Sequence, residues 1–283
     1  MSEGWDSYFC NVNDKLASIR VDLGIRSTIP DPDRPWLLWV WVYFERPRPD
    51  GLSGSEEFDK LVALEDTLQA ALEKKCGGVL AGCITTDGRR EFYFYGSTPE
   101  SFEESVGLSH GYKFDCDKQQ DFAWAQYLNV LYPSDEQRQL IENRKLMDLL
   151  TEKGDKLELA RDVHHWAYFK NQTDRKSFRD AIQVLGYRIE SENENSDSGR
   201  RFGICIVKHQ EMTPKAVDDT VIQLFRASKS AHGEYEGWEC QLIVDAKPPN
   251  KKFGGSGGRC LVNAEPEKSP KPHVRLSDLP GTD

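Results

Sequence analysis

Histidine, cysteine, acidic and aromatic residues are the side chains of this sequence that can do chemistry. Read by spacing, none of them builds a catalytic or metal-binding pattern. His164 and His165 are adjacent in a stretch that alternates like a strand, so their rings point to opposite faces and do not ligate one ion together. No His-x-x-x-His or Cys pair stands by to complete a site. The seven cysteines (Cys10, Cys76, Cys83, Cys116, Cys205, Cys240 and Cys260) are scattered, odd in number and lack Cys-x-x-Cys, which reads as reduced thiols. Cys205 and Cys240 lie in apolar runs, without the exposed, electropositive setting that a thiolate nucleophile needs. Gly254 to Gly258 lacks the following Lys-Ser/Thr of a phosphate loop and reads as linker. The acidic pairs Glu56-Glu57, Asp115/Asp117 and Asp218-Asp219 read as helix-end and solvated charges. The expectation is a protein without cofactor or metal, and not an enzyme.

Aromatic residues remain. Alternation from Asp162 to Phe169 puts Val163, His165, Ala167 and Phe169 on one face, suited to a core. His164, Trp166, Tyr168 and Lys170 fall on the other, open face. Aromatics there fit a docked protein surface, or stacked bases as in RNA recognition motifs. A second element, Gly233-Glu234-Tyr235-Glu236-Gly237-Trp238, holds Tyr235 and Trp238 either as corner anchors or as interface hot spots. Trp166, Tyr168, Tyr235 and Trp238 are therefore the candidate partner-binding residues.

The elements that must position them read strand, helix, strand, strand, helix, strand. A strand over Asp162 to Phe169 leads to a helix capped by Thr173 and stopped by Gly186. Short strands at Tyr187 to Glu190 and Phe202 to Val207 flank a polar loop. Thr213-Pro214 opens a second helix with proline at its first position. The loop Gly233 to Gly237 precedes a last strand, Trp238 to Val244. This is the split βαβ order, with both helices on one face of an antiparallel sheet.

The first half repeats that order without repeating the sequence. Strand Trp36 to Phe44 is followed by a helix with a Ser53/Glu56 capping box and apolar residues from Phe58 to Leu72. Strands Val79 to Thr85 and Glu91 to Tyr95 turn at Asp87-Gly88. A short helix from Thr98-Pro99 and a strand over Phe122 to Leu131 complete it. A hairpin, Trp5 to Asn11 with Ala17 to Leu23, precedes it. Ser134 to Asp155 reads as a connecting helix. The fold expected is α+β: two ferredoxin-like (βαββαβ) antiparallel-sheet domains joined by a helix, with an extra N-terminal β-hairpin and a flexible C-terminal tail. The boundaries are 1–133, 134–156, 157–246 and 247–283. In the tail, a short ordered piece is expected near Leu261-Val262.

Across its 283 residues the chain carries a net charge of −10. Residues 1–133 hold 13 Lys and Arg against 22 Asp and Glu. An acidic surface repels phosphate backbones and suits a basic protein segment. No apolar run nears the roughly 20 residues that span a bilayer, and no signal peptide is visible, so a cytoplasmic protein is expected.

The second half resembles a known family, the regulator of ribonuclease activity B (RraB-like) domain. The residues concerned are Asp162-Val163, Ala181 with Leu185-Gly186-Tyr187, Met212-Thr213-Pro214 and, most distinctively, Gly233-Glu234-Tyr235-Glu236-Gly237-Trp238. The resemblance implies a non-catalytic protein that binds and inhibits ribonuclease E, or its scaffold region, through protein contacts. The first half resembles a domain of unknown function that accompanies RraB-like domains, through Trp5 and Tyr8, Glu56-Glu57, Leu61, Glu65-Asp66, Gly88 to Phe92 and Tyr95. The alternatives are an RNA-binding module that uses the aromatic sheet face, and an enzyme of unknown type.

Overall fold

The computed structural model describes residues 4–107, 111–194, 200–245 and 273–275. The chain forms two compact units, Met1–Ile141 and Glu142–Asp283.

The first unit opens with the hairpin β1 (Trp5–Val12) and β2 (Lys15–Asp22). Then follow β3 (Trp36–Tyr43), α1 (Phe58–Cys76), β4 (Val79–Thr86), β5 (Arg89–Gly96), α2 (Phe102–Val106) and β6 (Lys113–Gln120). The sheet runs β1-β2-β4-β5-β3-β6, and every neighbouring pair is antiparallel. The apolar alternation of β3 and β5 serves two cores. Leu38, Val40, Phe92 and Phe94 pack on Leu64, Leu68 and Leu72 of α1 and on Phe102 of α2. Leu37, Tyr93 and Tyr95 face the other way, onto Trp124, Tyr127, Leu131 and the hairpin's Ile19 and Val21.

Two expectations fail here. Phe122 to Leu131 is not a strand. The sheet is closed by the polar β6, and Tyr127–Leu131 is a π-helical turn. The Asp121 carboxylate accepts from the N–H groups of Ala125 and Gln126 at 2.8 and 3.0 Å and from the Tyr95 hydroxyl at 2.7 Å. That caps the turn and lays Trp124 flat on Tyr95, ring centroids 3.8 Å apart. Nor does Ser53 cap α1; a 3-10 turn, Ser55–Glu57, leads into the helix without a side-chain cap.

In the second unit, the end of α3 (Asp135–Glu152) precedes β7 (Arg161–Phe169), α4 (Gln172–Gln183), β8 (Arg188–Glu194), β9 (Phe202–Gln210), α5 (Pro214–Ser230) and β10 (Glu234–Gln241). A three-residue strand, β11 (His273–Arg275), follows. The order is β11-β10-β7-β9-β8, and every neighbouring pair is antiparallel. Each unit thus sets the four strands of its strand-helix-strand-strand-helix-strand string in the order fourth, first, third, second. Val163, Ala167 and Phe169 of β7 pack with Phe178 and Ile182 of α4 and with Val217, Val221 and Leu224 of α5, as their spacing predicts.

The helix starts are instructive. α5 begins as expected, with Thr213 accepting from the Ala216 N–H and Pro214 first in the helix. α4 is capped by Asn171, not Thr173: the Asn171 side chain accepts from the Asp174 N–H at 2.9 Å and donates to the Asp174 carboxylate at 2.7 Å. Asn171→Ala should therefore cost about 1 kcal/mol, read as a lower urea midpoint at unchanged slope. The same substitution at Thr173, inside the helix, should cost less. α3 carries a reciprocal cap, with Ser134 N–H donating to Gln137 at 2.7 Å and Gln137 N–H donating to Ser134 at 3.3 Å.

The last strand runs Glu234–Gln241 where Trp238 to Val244 is expected, so that the Gly-Tyr-Gly-Trp segment after Gly233 lies within it rather than in a loop before it. β8 is also longer than expected and runs to Glu194. Of the predicted flexible tail, residues 273–275 are a strand; Leu261-Val262 lies outside the described residues.

Candidate partner-binding face

The central strand β7 sorts its side chains cleanly. Val163, His165, Ala167 and Phe169 are buried in the core, while His164, Trp166 and Tyr168 are half-buried on the opposite face. The neighbours add to that open face by register. Trp166 lies opposite Cys205 of β9 and Gly237 of β10; Tyr168 lies opposite Gly203 and Glu234. Gly203 matters for shape, because a Cβ there would meet Asn193 Oδ1 at 2.1 Å and Tyr168 Cε1 at 3.0 Å. Its bareness lets the Tyr168 ring lie against the sheet.

Around the two rings several polar groups pair with one another. Arg200 stacks its guanidinium over Tyr168, 5.0 Å from the ring centroid. It donates to Glu234 at 3.0 and 3.1 Å and to Glu236 at 2.8 Å. Burial, and next the Glu236 carboxylate, raise the Tyr168 phenol above its ordinary value, so it stays a neutral hydroxyl. His164 Nε2 sits 3.1 Å from Glu190, and the Cys205 thiol donates to the same carboxylate at 3.5 Å. Burial first, then that contact, pushes Cys205 up to about 12. A thiol held protonated beside a carboxylate is no nucleophile. At the far end of the strand, Asp162 meets His209 at 2.9 Å and Arg188 at 3.4 Å.

Tyr235 and Trp238 lie on the other face. They are 4% and 2% exposed, and both belong to the core. Side chains three apart on a regular strand point to opposite sides. Here the register of β10 against β7 shifts between Tyr235 and Gly237, and Gly237 takes φ 140. That bulge turns both rings inward. The Tyr235 hydroxyl then lies 2.8 Å from His165 Nδ1, and Trp238 Nε1 donates to Asn143 of α3 at 2.9 Å. The structure thus brings Trp166 and Tyr168 together and seats Tyr235 and Trp238 beneath them.

Sequence alternation along β7 located the first pair. It missed Gly203, which joins the face by register, Glu190, which sits at the irregularity of β8, and Arg200, which reaches Tyr168 from the connection before β9. Among the described residues there is no cluster of three or more His, Cys, Asp or Glu that can hold a metal, and no helix long and apolar enough to cross a membrane. The six described cysteines are free thiols.

The second unit thus presents a sheet face with two half-buried aromatic rings bordered by the Glu190, Glu234 and Glu236 carboxylates. Residues 140–240 match the family described as Regulator of ribonuclease activity B, and residues 3–132 match a family of unknown function (DUF695). The second unit carries an RraB-like domain, fused to a domain of that family of unknown function. No curated protein matches the chain. One solved structure, titled "Crystal Structure of an Unknown Protein from Galdieria sulphuraria", aligns with 71% of this chain and 96% of its own at 8% identity and a TM-score of 0.19. That score is too low to bear on the fold.

Proposed function

We propose that this is a non-catalytic, cytoplasmic regulator that binds and inhibits ribonuclease E, or a related RNA-processing partner, through the open face of the second sheet. Trp166 and Tyr168 make the contact. Tyr235 and Trp238 act from below, holding the strand that frames them. In this reading both units are ferredoxin-like, at 1–133 and 157–246, joined by a helix within 134–156; the shared strand order supports it.

The observation that carries the proposal is the state of the charges around the rings. Arg200, the cation stacked on Tyr168, is held by two carboxylates. Glu190 rims the rest. Such a rim repels a phosphate backbone and favours a basic, partly apolar protein segment laid over the rings. The family match at 140–240 supplies the class of partner.

The test is cleavage of a defined RNA by purified ribonuclease E, with and without the full chain, beside a bare-RNA binding control. Slower cleavage without RNA binding is expected. Trp166→Ala should weaken inhibition about thirtyfold, the loss typical of a buried aromatic anchor. Salt-sensitive binding of bare RNA by the wild type would overturn the reading in favour of base stacking.

A further inference from the structure

We propose that the outer edge of β10 is a strand-addition site for an extended basic segment, occupied in cis by the chain's own residues His273–Arg275 as a displaceable cap. β10 pairs with β7 along one side only. The other side of such a strand presents unpaired backbone N–H and C=O groups, the template for adding a strand. Over Glu239–Gln241 that side is taken by β11, antiparallel, with Arg275 opposite Glu239, Val274 opposite Cys240 and His273 opposite Gln241.

Chain connectivity does not impose this pairing. Hairpin arms are joined by roughly two to five residues; here residues 242–272 intervene between β10 and β11. The pairing rests on the edge itself and on the segment's own sequence. Three residues also fall short of the usual strand of about five or six. Among the described residues, no strand lies on the outer side of Glu234–Trp238. A longer segment can pair along all of β10 and displace the cap.

The chemistry of the segment follows from the register. Opposite charges at paired positions of an antiparallel ladder are favourable, and Arg275 is in register with Glu239. Residues 247–283 hold seven Lys and Arg against four Asp and Glu, so the cap comes from a basic stretch of the chain. The partner that fits is an extended strand with a β-branched residue followed by Arg or Lys, and without proline in the paired register. This contact lies at the sheet edge. It is separate from the aromatic face, so it stands whether or not that face binds ribonuclease E.

The experiment compares the full-length chain with its Val274→Pro/Arg275→Pro variant. Proline at two successive positions removes whichever N–H carries the ladder bond. Amide exchange at Glu239–Gln241 should quicken at least about tenfold in the variant, while β7 and β9 stay unchanged. A synthetic peptide of residues 271–278 is then titrated to about 1 mM, the effective concentration of a short flexible tether. It should shift the Glu239–Gln241 resonances of the variant, and bind the wild type at least about tenfold more weakly. The same peptide with Arg275→Glu should not bind. Equal exchange in both proteins, equal peptide response in both, or no response in the variant would each overturn the proposal.

Discussion

Arg161→Ala should destabilise the second unit by roughly 3–5 kcal/mol, read from the slowest-exchanging amides of β7 and β9 by hydrogen exchange. Arg161 opens β7, and its guanidinium is almost wholly buried against Asp155, their side chains 4% and 0% exposed. It donates to the Asp155 carboxylate at 2.7 Å and to the carbonyls of Gln241 at 2.9 Å and Leu159 at 3.2 Å, with a further bond to Lys156. Asp155 in turn accepts from the Ile243 N–H at 2.7 Å. One ion pair thus ties the chain leaving α3 to the start of β7 and to the segment after β10.

Removing the cation alone would leave Asp155 as a buried charge, together with carbonyls that have no way to reach water. That uncompensated burial, and not the gross attraction of the pair, sets the size of the loss. Asp155→Ala should cost a similar amount for the mirror-image reason. The double variant Asp155→Ala/Arg161→Ala should cost less than the two single losses added, with a coupling of roughly 1–3 kcal/mol. Additive losses would mean that the two groups act through separate contacts.

What could be read from the sequence follows from where the information resides. β7 announced its two faces because its alternation is set by its own side chains, and the helices α4 and α5 announced theirs by spacing. β6 and β8 did not. The sequences KFDCDKQQ and RIESENE are polar, and their pairing is supplied by the neighbouring strands β3 and β9. An edge strand needs little apolar content of its own. Phe122 to Leu131 erred in the opposite sense: it is apolar enough for a strand, yet a single carboxylate, Asp121, turns it into a capped helical turn. The candidate face was half legible. Tyr235 and Trp238 stood out as a motif, but their shared inward direction depends on a bulge that no alternation rule anticipates. Arg200 reaches Tyr168 from the connection before β9, so only the folded arrangement reveals it.

Acid should loosen the second unit through His165. The ring is 1% exposed. Its Nδ1 lies 2.8 Å from the Tyr235 hydroxyl, and Nε2 has no hydrogen-bond partner among the described residues. Tyr187 and Tyr235 pack about it with ring centroids at 6.3 and 6.1 Å. The cation would place its charge in this apolar pocket with its Nε2–H lacking an acceptor, and the nearby cation Lys208 and the His164 ring oppose it further. Burial first, then these two neighbours, lower His165 from its ordinary 6.5 to about 3.

In the unfolded chain the ring takes up its proton as pH falls through 6.5, whereas the folded ring stays neutral until about 3. The unfolded state therefore binds more protons throughout that window. The stability contribution is complete above it and is lost progressively toward its lower end. At pH 5 the loss amounts to about 2 kcal/mol. His165→Gln offers the Tyr235 hydroxyl both a donor and an acceptor but cannot titrate. It should cost stability at pH 7, where Gln fits the ring's space poorly, yet lose about 2 kcal/mol less than the wild type on going from pH 7 to pH 5. Carboxylates elsewhere titrate equally in both proteins and cancel from that comparison. Parallel pH profiles for the two proteins would show that the imidazole is reached by water or by an acceptor in the folded state, and the neutral buried histidine would have to be abandoned.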